Sequence, residues 1–370
     1  MKKLLAILAV GALSVSLLAG CGKQENTTEE TNTDLSFVET EDLVEEEEET
    51  VDGMSRSDLT GEWIDADLAA QRPVAVMIGN LKVATPQYGI GSADIVYEAP
   101  VEGSLTRLMA IFQDYENVEK IMSLRSCRLY YIDYALEFDA IYIHYGQSYL
   151  AEDMLSQSYV NNLSGLDGSI ASMFFRDSAK TAPDNAYTTG EAIVEGISTK
   201  GYDTQHSEEY EGHYQFNADD GTEITLDDGV DAVVVKPGYF VNKPWFVYDE
   251  ETGLYARYQY GEEQIDALTD EQLTYKNILF QVCEWSVADT EANYLDVETV
   301  GSGTGYYVTN GKAIPVTWEK ETQTGATKYY DADGNEITLN QGKTWVCIIQ
   351  DTYEENVTFY ASEEEYSAAQ

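Results

Sequence analysis

Apolar positions follow two rhythms along this chain. Between residues 72 and 145 they gather into short continuous runs at 73–78, 94–100, 105–112, 120–124 and 140–145. Runs of strand length without polar alternation describe strands covered on both faces. Gly89, Gly91 and Ser92 make a loop between the first two, and Pro100 closes the second. After the fourth run the period changes. Leu129, Ile132 and Leu136 form one apolar stripe, and Tyr131, Tyr134 and Phe138 form another. That pattern predicts a helix capped by Ser126, reaching about Phe138 and packed on two neighbours. Residues 149–155 read as a second helix. Thr188 or Thr189 caps a third, which reaches Ile197 and stops at Gly201.

The second half has a different texture. Strand-length runs separated by turn residues follow one another at 232–235, 245–248, 254–260, 277–285, 306–309, 313–318 and 345–350, with one short helix expected near Asp270. Asn310-Gly311 and Asp333-Gly334 carry hairpin-turn chemistry. The fold class is therefore α+β: a mixed α/β first domain over 59–205, with a mixed sheet and packed helices, and a mostly-β second domain over 218–360. The polar stretch 206–217 is expected to link them, and 361–370 to form a tail.

The N-terminus is a separate matter. Lys2 and Lys3 precede an apolar run from Leu4 to Leu18. At ~15 residues it is shorter than the ~20 that a membrane-spanning helix requires. It ends in Leu18-Ala19-Gly20-Cys21, which looks like a bacterial lipobox. Residues 1–20 thus read as a signal peptide, and Cys21 as the thiol that accepts lipid and becomes the new N-terminus. Residues 22–58 hold fourteen acids against two bases and one Phe, too little apolar surface to offset ordering entropy. Residues 21–58 are expected to be a lipidated, disordered tether that holds the body off a membrane.

Charge narrows the partners. Asp and Glu number 67 against 21 Lys and Arg, a net charge of -46, which excludes a nucleic-acid footprint. It leaves the membrane to be reached through the lipid alone. Four cysteines, one of them the lipidation site, do not make a disulfide framework. Cys283 and Cys347 lie in strand-like runs and could pair, which leaves Cys127 odd.

Only seven bases are arginine, and four of them, Arg107, Arg125, Arg128 and Arg176, fall in the central region around Arg125–Gly146. Arg125 and Arg128 flank Ser126 where a helix is expected to begin, and His144 closes the strand after that helix. Backbone N–H groups beside guanidinium groups suit an anion. Arg107, Arg125, Ser126, Arg128, His144 and Arg176 are therefore the candidate ligand-binding set, and a cell-wall polymer or an envelope protein the candidate partner. The alternative is that these arginines pair with the abundant acids and lock loops in place. A Ser126–His144–Asp139 relay fails, because Asp139 and His144 sit at odd spacing on one strand and face opposite ways. Asp331-x-Asp333-Gly334-x-Glu336 lacks the sixth-position glycine and twelfth-position glutamate of a calcium loop. His206 and His213, among Glu208, Glu209 and Glu211, read as a solvated loop. No cofactor and no metal are expected. Twenty-eight tyrosines suit both strand packing and sugar-binding faces.

Several of these stretches together resemble the YerB-like bacterial lipoproteins. They are 72–78, 91–98, 103–107, Arg125-Ser126-Cys127-Arg128, Phe138-Asp139-Ala140 with His144-Tyr145-Gly146, and Phe175-Arg176-Asp177. Thr317-Trp318-Glu319-Lys320 and Gly342-Lys343-Thr344-Trp345 continue the likeness in the second half. The resemblance spans nearly all of 60–350 in two family domains. It implies an envelope lipoprotein on the extracytoplasmic face of the cell membrane and supplies no catalytic residues. Cys127 stands where the family tends to have Ala or Ser, which argues against a cysteine nucleophile. The expected function is binding of an anionic or polymeric envelope ligand, or of a protein partner. A hydrolase using the same pocket and a passive scaffold are the alternatives.

Overall fold

A computed structural model describes residues 51–218 and 221–370. The signal segment, Cys21 and most of the acidic tether lie outside the described residues. The tether's last residues are ordered differently from expectation, since Met54–Arg56 pairs antiparallel with Trp63–Asp65.

The described residues form one compact unit. Its centre is a long mixed sheet whose strands come from both halves of the chain. The first half supplies β1 (Val74–Gly79), β2 (Ile95–Pro100) and β3 (Thr106–Phe112), with β5 (Ile141–His144) and β6 (Asn162–Ser164). A small separate sheet is built from β4 (Ile121–Met122), β7 (Phe175–Arg176) and β8 (Ala186–Thr188). The second half supplies β9 (Val230–Asp231), β13 (Asn277–Cys283), β14 (Gly301–Thr309), β15 (Lys312–Lys320) and β16 (Thr344–Gln350). Their order in the long sheet is β9-β15-β14-β13-β16-β2-β3-β1-β5-β6. The join is parallel, from Thr344 beside Ile95 to Cys347 beside Glu98. A second sheet contains β10 (Val234–Lys236), β11 (Trp245–Asp249), β12 (Leu254–Gln259) and β17 (Thr358–Tyr360).

The continuous apolar runs are explained by cover on both sides. In β1, Val74, Val76 and Ile78 face one core while Ala75 and Met77 face the other. Helix α1 (Leu129–Leu136) covers the second face with Tyr131, Ile132 and Tyr134. Helix α2 (Gly190–Lys200) and the second sheet cover the first, through Ile193, Ile197, Phe246 and Tyr255. Thr189 caps α2 by accepting from Ala192 N–H, and Gly201 at φ +66 ends it. Asn310 (φ 48) and Gly311 (φ 73) turn β14 into β15, as a primed hairpin requires.

Where the two halves meet, a buried ion pair replaces apolar packing. Glu98 and Arg257 have fully buried side chains and pair at 2.6 Å. Asn80, Thr106 and Asn242 also donate to Glu98. The Arg257 guanidinium lies 3.8 Å from the Trp345 ring centroid and 4.7 Å from that of Phe246.

Several expectations change. Helix α1 starts at Leu129, not at Ser126, because residues 125–127 are held in extended pairing described below. No helix forms near Asp270. There Asp266 accepts from the N–H groups of Gly89, Gly91 and Leu268, tying a turn to the first half of the chain. The tail carries a helix over Glu363–Ala368 capped by Ser362. The stretch expected as a linker, 206–217, is not solvated throughout, since the His213 side chain is fully buried against Glu137. Cys283 and Cys347 are free. They stand on neighbouring strands but face opposite cores, so their sulfurs cannot meet.

Candidate functional site

Strands β1, β2, β5, β6, β13 and β16 all run one way, so their carboxyl ends share one edge of the long sheet. Open sheets collect ligands at such edges, and four of the six candidate residues pack together there. Gly79 at the end of β1 donates to Ser123 O, and Arg125 N–H donates to Met77 O. On the other side Tyr145 N–H donates to Arg125 O, Cys127 N–H to Gly146 O, and Ser148 N–H to Cys127 O. The Arg125–Cys127 stretch is thus clamped between β1 and the segment that follows β5. Gly79 lets the Arg125 side chain pack close, since a Cβ there would lie 3.0 Å from Arg125 Cγ, and Gly146 takes a φ of +84 that favours glycine.

The arginines differ in what holds them. Arg128 is closed on both edges of its fork. Its Nε and Nη2 donate to the two oxygens of Glu102 at 2.5 and 2.8 Å, and its Nη1 donates to Cys127 O. Among the described residues Arg125 gives only Nη1, to Asp184 at 2.6 Å, and its side chain is 16% exposed. Arg107 stands on β3 opposite Gly79 and is 7% exposed. Among the described residues the sole hydrogen bond of its side chain is from Nη1 to Ser126 O at 2.6 Å, and no carboxylate pairs with it. Burial, then Arg128, then Arg125, bring its pKa down to about 10. Three guanidinium groups therefore share two carboxylates.

Ser126 contributes its carbonyl to Arg107, and its hydroxyl donates to Tyr145 O. It caps no helix. His144 is buried, with Nδ1 2.8 Å from Gly146 O and Nε2 3.4 Å from Asn162 Oδ1. Burial lowers its pKa against those two contacts. Arg176 is exposed; it donates to Asn185 Oδ1 and lies 4.5 Å from the Tyr145 ring centroid. Cys127 is buried, and its thiol is pushed up to about 12 by that burial, which removes thiolate chemistry at neutral pH.

One polar cluster was invisible in the sequence. Glu137, His213 and Lys320 have fully buried side chains, with Glu137 accepting from His213 at 2.5 Å and from Lys320 at 2.8 Å. Burial alone would raise the Glu137 carboxyl, but Lys320 and His213 outweigh it and hold it near about 2. Burial lowers the His213 pKa, so the ring is neutral and donates from Nε2. Among the described residues no group of His, Cys, Asp and Glu could hold a metal ion.

The class is now defined: an α+β protein in which the two halves of the chain share one sheet, with an arginine cluster at its carboxyl edge. Matching the DUF3048 N-terminal domain over 59–203 and its C-terminal domain over 233–346, both described as protein of unknown function, the chain belongs to that family. It is similar to a Bacillus subtilis (strain 168) protein named "Putative lipoprotein YerB", with 28% identity over 299 residues, covering 80% of this chain and 86% of the relative. The crystal structure of YerB from Bacillus subtilis aligns with a TM-score of 0.72 at 28% identity, covering 83% of this chain and 99% of the other. No helix among the described residues is long and apolar enough to cross a membrane.

Proposed function

We propose that this is a lipid-anchored protein of the extracytoplasmic membrane face that binds an anionic envelope ligand at Arg107 and Arg125. The observation that carries the reading is Arg107, nine-tenths buried beside two other guanidinium groups and paired with no carboxylate. A buried cation costs several kcal/mol unless a countercharge meets it, on the order of the penalty for breaking a buried pair. An acidic chain has carboxylates to spare, so an arginine left without one is set up for a charge from outside. Arg128, saturated by Glu102, positions the loop. Ser126 presents the carbonyl that orients Arg107.

A passive scaffold is the competing reading, and the Arg128–Glu102 and Arg125–Asp184 pairs favour it. A hydrolase built on His144 gains no support, because its ring faces a carbonyl and an asparagine with no carboxylate beside it.

The test is thermal unfolding of the full chain, purified in detergent, with inorganic phosphate against chloride at equal ionic strength. Phosphate at about ten times its Kd stabilises by about 1.4 kcal/mol, an effect that Arg107→Gln should remove with little change in the ligand-free midpoint, and that Arg125→Gln should remove while also lowering that midpoint, because Asp184 loses its partner. A wild type indifferent to phosphate, with Arg107→Gln melting far lower, would make the cluster structural.

A further inference from the structure

Every described lysine but two sends its ammonium group to a carboxylate or a carbonyl. The exceptions are Lys236 and Lys243, in a chain that holds 67 acids. They stand near the two ends of the loop that joins β10 to β11, and both line one open hollow of about 1430 Å³ together with Asn242, Trp245, Tyr260 and Tyr366. None of the residues lining that hollow is Asp or Glu. Hollows elsewhere on the surface, beside Glu209, Glu354 and Glu262, do carry carboxylates. Two cations thus face a space from which the commonest charge of the chain is kept out.

The same loop borders a second hollow. Gly238, Tyr239 and Phe240 line both, and the second, narrower one lies at the carboxyl ends of β2 and β16 among Pro100, Leu105, Pro237, Ile349 and Tyr353. It is free of acids too. Phe240 is 46% exposed and Val241 41%, large apolar side chains left in water on one loop. The rings around them are engaged with each other. Trp245 stacks on Tyr258 at 4.9 Å and packs against Tyr366, and Tyr353 meets Phe240 edge to face. They build the walls, so the open surface suits a flexible apolar chain better than a flat ring. Lys243 holds a φ of 46, a left-handed backbone that strains a residue with a side chain and that glycine takes freely. A lysine kept there in spite of the strain points to use of its charge.

We infer that the two hollows together bind an anionic amphiphile, whose phosphate or carboxylate head meets Lys236 and Lys243 and whose alkyl chain covers Phe240 and runs toward the narrower hollow. A neutral ligand would leave both ammonium groups unanswered. A bare anion would leave Phe240 and Val241 in water, where only apolar cover improves their free energy. The site shares no residue with the arginine cluster and stands or falls apart from it.

The experiment is calorimetric titration of the mature chain carrying Cys21→Ser, which keeps every described residue and needs no detergent. The probes are dodecyl phosphate, dodecanoate and dodecyl maltoside, each below its micellar concentration, so that one chain length carries two anionic heads and a neutral one. The better of the anionic probes should bind about tenfold more tightly than the maltoside, a difference of about 1.4 kcal/mol, and the order of the two tells phosphate from carboxylate. Lys243→Gly should bring that probe to the affinity of the maltoside without lowering the ligand-free melting midpoint, since glycine accepts the backbone there. Lys236→Gln should weaken the anionic probes and leave the maltoside alone, while Phe240→Ser should weaken all three. Maltoside binding as tight as that of the anions would remove the recognition of charge. Anion binding that survives Lys236→Gln and Lys243→Gly together, or no binding of either anionic probe, would overturn the inference outright.

Discussion

Replacing Arg257 by Met should destabilise the body more than any truncation of similar volume elsewhere in its core. Both side chains of the Glu98–Arg257 pair are fully buried, and Glu98 would keep three neutral donors, Asn80, Thr106 and Asn242, but lose its only countercharge. Breaking a buried pair by removing one partner costs about 3–5 kcal/mol. Part of that is the stacking of the guanidinium between Trp345 and Phe246, worth about 2 kcal/mol when desolvated. At about 2 °C per kcal/mol for a chain of this size, the midpoint should fall by about 6–10 °C. The assay is thermal unfolding for the midpoint, and urea unfolding for the free energy, of the body from residue 51 onward, for Arg257→Met, Glu98→Gln and the double variant. With the charge removed from both sides, the double variant should recover about 2 kcal/mol relative to Arg257→Met, since Glu98→Gln removes the uncompensated buried charge and keeps an oxygen that accepts from Asn80, Thr106 and Asn242. If Arg257→Met costs less than about 1 kcal/mol, or the two single costs add up to the double, the charges are not coupled and the argument is wrong.

Acid should weaken the protein through Glu137 and His213 together. The Glu137 carboxyl is held at about 2 against an ordinary 4.5, so its contribution is present above 4.5 and lost as pH falls toward 2; the gap corresponds to on the order of 3 kcal/mol. His213, kept neutral by burial, adds a loss that begins as pH falls below 6.5, where the unfolded chain takes up the proton first. Urea midpoints across that range should slope less for Glu137→Gln than for wild type, and parallel slopes would count against the pairing. Gly305→Ala puts a Cβ 2.0 Å from Phe280 O and should cost more than about 2 kcal/mol by forcing β13 and β14 apart. Gly168→Ala, with nothing within 4 Å, should be near neutral in the same melt, and equal costs would refute the packing argument. Cys127, Cys283 and Cys347 should resist a thiol reagent in the native state and all react after unfolding in urea without reductant; a missing thiol would reveal a disulfide.

Much of the fold was legible because it is written locally. The five apolar runs of the first half became buried strands or strand ends, Thr189 and Gly201 bounded a helix, and Asn310-Gly311 made its hairpin. The one misplaced start, Ser126 for Leu129, shows the limit. Ser126 has the side chain of a cap, yet Met77, Tyr145 and Gly146 claim the backbone on either side of it, and tertiary hydrogen bonds override a local preference. His213 failed for a similar reason. Its neighbours in sequence are acidic and polar, and nothing among them announces Glu137, 76 residues away.

By itself the sequence determined the rhythm of strands and helices, the acidic character of the chain and the crowding of its few arginines into one region. These depend on residue type and short-range spacing, which a single chain displays directly. Only the tertiary structure decided which arginine meets which carboxylate: Glu102 for Arg128 across 26 residues, Asp184 for Arg125 across 59, Glu98 for Arg257 across 159, and none for Arg107. In a chain with three acids for every base, composition allows almost any pairing. The strand order and register, which place each side chain against one neighbour and bury it there, choose among them.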